Sequence, residues 1–164
     1  MSQHQLIVGG QRSGKSGRAE KIACAWLAAA PNHQACLVAT ALALDDEMRE
    51  RIARHRQDRA PGIATYEAPL QLATALLKLD TPQCLLVVDC LTLWLTNCLM
   101  PAPGVPSVCW QTERQSLLDI LPKLSSPVVF ISNEVGWGII PMQREVREFV
   151  DELGRLNQSV ANAC

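Results

Sequence analysis

The sequence has little of what membrane proteins, nucleic-acid-binding proteins and zinc proteins need. Its longest apolar run, residues 91–100, is broken by Thr92, Thr96 and Asn97, whereas a bilayer span needs about 20 apolar residues. Its net charge is −1, which provides no general basic surface for nucleic acid. Its three histidines lack the spacing of a zinc site. We therefore expect no membrane span and no nucleic-acid partner.

Paired cysteine spacing is also missing. The seven cysteines are odd in number and include no CxxC pair, while Cys24, Cys84, Cys90 and Cys98 lie within apolar stretches. This pattern favours reduced, buried thiols over a disulfide scaffold. The N-terminus has no basic segment followed by an apolar signal-peptide core. Together these features predict a cytoplasmic protein.

The sequence is instead rich in apolar residues, at 48%, and alternates short β-type runs with helical patterns. We predict strands at 5–8, 36–40, 63–67, 84–89 and 127–132. We predict helices at 15–29, 44–57, 69–79, 90–100, 111–121 and 143–159. Alternation of this kind is typical of an α/β fold with a mainly parallel sheet flanked by helices. In the last helix, the predicted core-facing residues are Val146, Phe149, Val150, Leu153 and Leu156.

A phosphate-binding loop lies between the first strand and the first helix. The motif GxxxxGK[ST] is matched at every fixed position, and its glycines let backbone N–H groups turn toward phosphate oxygens. Lys15 supplies a mobile positive charge for the β- and γ-phosphates, and the Ser16 hydroxyl is a ligand for Mg²⁺. The motif predicts a P-loop enzyme that uses GTP or ATP. Its residues are Gly9, Gly10, Gln11, Arg12, Ser13, Gly14, Lys15 and Ser16.

Asp89 is the expected acidic partner of this loop. It ends the apolar run 85–88, and a carboxylate at the C-terminal end of a parallel strand can hold Mg²⁺ beside the bound phosphates. We therefore predict a Mg²⁺ site formed by Ser16 and Asp89.

His55 lies among five arginines within residues 49–59, and two interpretations are open. It could end the buried stripe of a helix, since it follows Met48 by seven residues and Ile52 by three. Alternatively, the neighbouring guanidinium groups disfavour the imidazolium form and leave a neutral, nucleophilic ring. Such a ring suits attack on the α-phosphate of a nucleotide. Periodicity does not decide between the two.

Several segments in order resemble the bifunctional adenosylcobinamide kinase/adenosylcobinamide-phosphate guanylyltransferase family of cobalamin biosynthesis. The resemblance covers residues 5–164 and includes the phosphate loop. Its other segments are VAT (38–40), LDDEM (44–48), RI (51–52), HR (55–56), DCLT (89–92), TN (96–97), NEVGWGIIP (133–141) and GRLNQ (154–158).

The resemblance implies two reactions. Adenosylcobinamide is first phosphorylated by a nucleoside triphosphate, and GMP is then transferred from GTP to that phosphate through a guanylylated histidine, which here is His55. It also implies a RecA-like P-loop fold, a homotrimer, Mg²⁺, and GTP and ATP as substrates. Beyond the phosphate loop, the implied nucleotide contacts are Ala39, Thr40, Ala41, Arg56, Gln57, Asp58, Arg59, Glu67 and Asp89.

One departure from the family concerns the C-terminus. The family usually continues into a final hydrophobic strand and a short basic tail, whereas this sequence stops at Cys164, where that strand should begin. We expect a single nucleotide-binding domain over residues 1–164 that lacks the strand.

Two other functions remain open from the residues themselves. One is a P-loop kinase of another small metabolite, in which His55 is structural. The other is a nucleotide-driven switch or oligomeric motor, although no NKxD-like guanine-reading motif and no basic stripe supports it. The roles of Glu134 and Trp137 stay undecided between the site and packing.

Overall fold

The computed structural model describes residues 4–57, 60–135 and 142–164, without the side chains of Arg51, His55 and Arg56. Strands and helices alternate through these ranges. The strands are β1 (Gln5–Gly9), β2 (Gln34–Ala39), β3 (Ile63–Glu67), β4 (Cys84–Asp89) and β5 (Val128–Asn133). The helices are α1 (Lys15–Ala29), α2 (Asp46–Gln57), α3 (Leu72–Leu79), α4 (Leu91–Leu99), α5 (Trp110–Ile120) and α6 (Arg144–Ala163), with a 3₁₀ turn at Leu121–Lys123.

The five described strands form one parallel sheet in the order β1-β5-β4-β2-β3. The sequences of β4 and β5 are almost continuously apolar and buried, as expected for inner strands covered on both faces. Strand β5 separates β1, which leads into the phosphate loop, from β4, which ends in Asp89. The expected fold class, an α/β P-loop NTPase-like fold with a parallel sheet flanked by helices, is confirmed.

Alternating residues of the inner strands divide the core into two faces. On one face, Leu86, Val88 and Phe130 pack with α3, α4, α5 and α6. On the other face, Leu85 and Val129 pack with α1. The period of two along each strand therefore attaches helices to both sides of the sheet.

Three sequence predictions need correction. Helix α3 begins at Leu72 rather than residue 69, because the carbonyls of Pro69 and Leu70 accept side-chain hydrogen bonds from α4. Helix α6 continues to Ala163, and its buried residues begin at Leu153, whereas Val146 is exposed instead of core-facing. Cys24 is exposed on α1.

The other cysteine predictions are confirmed. Cys84, Cys90 and Cys98 are buried, and all seven cysteines are reduced. Burial raises the pKa of the Cys98 thiol to about 12. Within the described ranges, no helix combines the length and apolarity that crossing a membrane requires.

Candidate nucleotide-binding site

The phosphate loop connects the end of β1 to the first turn of α1. Gly14 precedes the helix with a φ of 85°, a left-handed conformation that glycine adopts without steric cost, and Arg12 also has a positive φ of 56°. The backbone N–H of Arg18 donates to the Gly14 carbonyl at 3.0 Å, which is the first backbone hydrogen bond of α1. The backbone N–H groups just before Arg18 are therefore available to an anion at the positive end of the helix.

Lys15 folds back across this loop. Its Nζ donates to the Gly10 carbonyl at 2.5 Å and to the Ser13 hydroxyl at 3.4 Å. A Cβ added at Gly9 would lie 2.9 Å from the Ser13 oxygen, so glycine at position 9 lets the loop close. The ammonium group is thus held inside the curve of the loop, where the phosphates of a bound nucleotide would approach.

Ser16 and Asp89 meet beside the loop. The Ser16 hydroxyl donates to Asp89 Oδ2 at 3.4 Å, although the two residues are 73 positions apart in the chain. The described residues contain no group of three or more His, Cys, Asp or Glu that could hold a metal ion. One hydroxyl and one carboxylate nevertheless fit Mg²⁺, which takes few protein oxygens and completes its shell with water and phosphate.

A cavity of about 380 Å³ opens from the loop along the C-terminal edge of the sheet, a volume within the range of small-molecule sites. Predicted site residues in its lining are Gln11, Arg12, Ser13, Gly14, Lys15, Ser16, Ala39, Ala41, Glu67 and Asp89. The strand register explains why they meet, since Ala39 pairs with both Glu67 and Asp89. Gly9 and Gly10 form the base of the loop outside this lining.

Several lining residues were missed by the sequence analysis. They share an apolar or small polar side chain without catalytic character, and they include Leu37, Met48, Ile52, Thr65, Leu93 and Asn133. The available signal was Met48 and Ile52, four residues apart on an otherwise charged helix. That spacing predicts an apolar helix face, but it does not say whether the face borders a core or a pocket.

Thr40 is not part of the cavity lining, unlike its neighbours Ala39 and Ala41. It is fully buried, and its hydroxyl donates to the Cys90 carbonyl at 2.8 Å and accepts from the Cys90 N–H at 2.9 Å. The side chain therefore fastens the end of β2 to the start of α4. The Thr40 N–H donates to the Asp89 carbonyl at 3.2 Å.

Two further side chains of α4 hold the loops around the cavity. Asn97 Nδ2 donates to the carbonyls of Thr40 at 2.8 Å and Pro69 at 3.0 Å. The Thr92 hydroxyl accepts the N–H of Asn133 at 3.0 Å. These contacts give Thr92 and Asn97, which belong to segments 89–92 and 96–97 of the resemblance, a role in fixing the loops that carry lining residues.

The segment after β5 also borders the site. Asn133 lines the cavity, its carbonyl accepts from Asn157 Nδ2 at 3.3 Å, and the Glu134 N–H donates to the Gly9 carbonyl at 3.2 Å. The backbone of Glu134 is thus attached to the start of the phosphate loop. Trp137 lies outside the described residues.

Helix α2 contributes Met48 and Ile52 to the cavity and contains position 55 near its C-terminal end. Its first turn is capped by Asp45, whose Oδ1 accepts the Met48 N–H at 2.7 Å, and Asp46 pairs with Arg49. Gln57 is exposed and is absent from the cavity lining. The side chains of His55 and Arg56, and the whole of Asp58 and Arg59, lie outside the described residues.

Cys90 borders the cavity and carries a thiol, which can act as a nucleophile, but its environment disfavours nucleophilic attack. Burial is the largest influence on the thiol and raises its pKa, and the Asp89 charge acts in the same direction. The protonated thiol is a poor nucleophile. Cys90 is therefore a poor candidate for attack on phosphorus.

Comparison with known proteins agrees with this geometry. The chain matches the model of the family described as cobinamide kinase / cobinamide phosphate guanyltransferase over residues 5–164. It is 44% identical over 160 residues to the bifunctional adenosylcobalamin biosynthesis protein CobP of Pseudomonas aeruginosa, covering 97% of this chain and 87% of the relative. The proteins CobU of Escherichia coli and Salmonella typhimurium are each 34% identical over 169 residues, covering 97% of this chain and 90% of the relative. The chain therefore belongs to the cobinamide kinase / cobinamide phosphate guanyltransferase family of bifunctional kinases and guanylyltransferases.

Proposed function

We propose that this enzyme phosphorylates adenosylcobinamide with GTP or ATP and then transfers GMP from GTP to adenosylcobinamide phosphate, giving adenosylcobinamide-GDP. The observation that carries the proposal is the cavity that joins the phosphate loop, the Ser16–Asp89 pair and the apolar face of α2. Such a site would combine triphosphate binding with a second helix that carries the proposed nucleophile.

In the kinase step, the substrate hydroxyl oxygen bonds to the γ-phosphorus as the bond to the leaving nucleoside diphosphate breaks. Lys15 is placed to neutralise charge on the β- and γ-phosphates, and the amides at the start of α1 bind phosphate oxygens. Ser16 and Asp89 would hold Mg²⁺, which supplies charge neutralisation when bound. The loop thereby orients the phosphate chain for in-line transfer.

In the transferase step, a neutral ring nitrogen of His55 attacks the α-phosphorus of GTP and displaces pyrophosphate. A phosphate oxygen of the phosphorylated corrinoid then takes the GMP and releases the histidine. Support comes from helical spacing, because position 55 follows the cavity-lining residues Met48 and Ile52 by seven and three residues. The five arginines within residues 49–59 would disfavour the imidazolium form and would bind phosphate.

The remaining nucleotide contacts follow the same proposal. Glu67 and Ala41 lie in the lining beyond the phosphates, where they are available to the nucleoside. The full proposed set beyond the phosphate loop is Ala39, Thr40, Ala41, Arg56, Gln57, Asp58, Arg59, Glu67 and Asp89.

The experiment that tests the transferase is intact mass after incubation with GTP and Mg²⁺. We expect an added GMP that is lost in acid, survives mild alkali and is absent from His55→Ala, because a phosphoramidate has that stability. His33→Ala is the matched control, since His33 stacks on Trp26 beside the start of β2, at the opposite edge of the sheet. His55→Ala should keep at least part of the kinase activity.

Two results would contradict the proposal. A wild-type protein that binds GTP but forms no adduct would be a kinase without nucleotidyl transfer, acting on this or another small metabolite. Equal loss of both activities in His55→Ala would mark the histidine as structural.

We also propose that the enzyme is a cytoplasmic homotrimer. The reduced state of all seven cysteines supports a reducing compartment. The trimer follows the family resemblance, and light scattering should give a particle of three times the 18.0 kDa chain mass. A monomer of full activity would contradict it.

A further inference from the structure

Helix α2 is held mainly at its two ends. No described side chain between Asp46 and Gln57 is buried, and Met48 and Ile52 are only half-buried against the cavity. A helix with so little core packing has weak restraint on its position. Its N-terminal end is fixed locally by the Asp45 cap. A restraint near the other end would therefore influence how α2 lies along the cavity that it shares with the phosphate loop.

Glu20 provides a restraint just after that end. Its Oε1 accepts the backbone N–H of Ala60 at 2.5 Å, across 40 positions of sequence. Ala60 is the first described residue of the connection that leaves α2 and enters β3. The carboxylate thus ties this connection to α1.

The same helix carries the groups that bind the phosphates. Glu20 follows Ser16 by four residues, so the two lie on one face of α1. Both border a small cavity of about 50 Å³ behind the loop, which Asp89 also lines. One rigid helix therefore sets the position of the phosphate-binding groups and of the chain that leaves α2.

We propose that Glu20 is a positioning residue for the guanylyl-transfer step, holding α2 in register with the phosphate loop. This inference rests on the proposed attack by His55. Nucleophilic attack needs the reacting atoms within about 3–3.5 Å, and a displacement of about 1 Å can slow a reaction by about 100-fold. The γ-phosphate transfer depends on Lys15, Ser16 and Asp89, which Glu20 does not contact by a hydrogen bond among the described residues.

The test measures both reactions on the same samples of wild type, Glu20→Ala and Glu20→Gln. In Glu20→Ala we expect the first-order rate of GMP-adduct formation to fall about 10- to 100-fold, with kinase turnover within about threefold of wild type. The GTP concentration for half-maximal adduct rate should stay unchanged, since phosphate binding is intact. Glu20→Gln keeps an acceptor oxygen and should restore most of the rate. Lys21→Ala, at an exposed neighbour on α1, is the control.

A second measurement tests the hydrogen bond between the Ala60 N–H and the Glu20 carboxylate. Amide hydrogen exchange of a peptide covering residues 57–63 should speed up in Glu20→Ala and stay near wild type in Glu20→Gln. Because any misfolded fraction lowers both activities equally, the ratio of the two rates is independent of folding yield.

The outcomes separate the two proposals. A parallel loss of both activities, or no loss of either, in Glu20→Ala overturns the positioning role, and unchanged exchange overturns the contact. A wild type that forms no GMP adduct overturns the proposed transferase and the positioning role with it, while the exchange result still reports on the Ala60 contact.

Discussion

The two helices α2 and α4 both border the nucleotide cavity, yet they are anchored in opposite ways. Six of the nine residues of α4 are buried, among them Trp94 and Leu95. Its polar side chains hold loops, as Asn97 does with the carbonyls of Thr40 and Pro69. Helix α2 has no buried residue among its described side chains and offers only Met48 and Ile52 to the cavity.

This difference indicates how one site can serve two reactions. The phosphate loop follows β1 and Asp89 ends β4 of the packed sheet, α4 packs against that sheet, and we propose that this part of the site binds the triphosphate. The proposed nucleophile belongs to a helix with few packing contacts, whose position can be set separately. Substitutions on the packed side should therefore impair both reactions or the fold, and substitutions on α2 should act on one reaction.

The largest expected effect is that of Lys15→Ala on the packed side. Loss of the ammonium group removes the charge that binds the β- and γ-phosphates in both reactions, so each rate should fall by at least about 100-fold. Phosphorylation of adenosylcobinamide and GMP-adduct formation are measured in parallel, with Lys21→Ala as the control. Retained kinase activity would show that the two reactions do not share this phosphate loop.

A matched pair of truncations compares the packing of the two helices directly. Leu95→Ala removes a fully buried side chain from α4 and should lower the free energy of unfolding by about 2–5 kcal/mol. Met48→Ala removes a half-buried side chain from α2 and should cost less than about 1 kcal/mol while weakening nucleotide binding severalfold. Urea unfolding and nucleotide titration measure the two effects. Equal destabilisation by both variants would show that α2 is part of the core.

Asn97→Ala is expected to have an intermediate effect. It leaves the buried carbonyls of Thr40 and Pro69 without their side-chain donor, which should cost about 1–3 kcal/mol of stability. Since these carbonyls fix the ends that carry Ala41 and Glu67, nucleotide affinity should fall with it and both reactions should decline together. Urea unfolding and both activity assays, applied to wild type and Asn97→Ala, measure these effects. A selective loss of guanylyl transfer alone would contradict the conclusion that α4 holds the loops around the cavity.

The fold and the phosphate-binding end of the site were predictable because local patterns determine them. The boundaries of α1, β3 and β4 match the predicted ones, since a glycine, a proline or a charged residue lies at each end or within two residues of it. Ser16 and Asp89 were predicted as partners because parallel strands end at the same edge of the sheet.

The errors arose where tertiary contacts override local pattern. Pro69 favours the first turn of a helix, but Asn97 and Trp94 bind the carbonyls of residues 69 and 70 and delay α3 to Leu72. Val146 fits the apolar stripe of α6, yet that turn extends beyond the core. The hydrogen bonds between the Thr40 hydroxyl and the backbone of Cys90 are likewise tertiary contacts that no local pattern indicates, while the nucleotide contact of Thr40 stays a prediction.

The smallest expected effect concerns thiol reactivity, which reports on how tightly α4 is packed. Hydrogen bonds with Thr112 lower the pKa of the exposed Cys109 thiol, which favours its reactive thiolate form. Burial on α4 raises the pKa of Cys98 to about 12, which leaves almost no thiolate and no access for a reagent. Brief iodoacetamide treatment of the folded enzyme, followed by peptide mass spectrometry, should label Cys109 well before Cys98. In Leu95→Ala the labelling of Cys98 should increase, because a loosened α4 opens more often, while that of Cys109 stays the same. Rapid labelling of Cys98 in the wild type would contradict the tight packing of α4 on which the contrast with α2 depends.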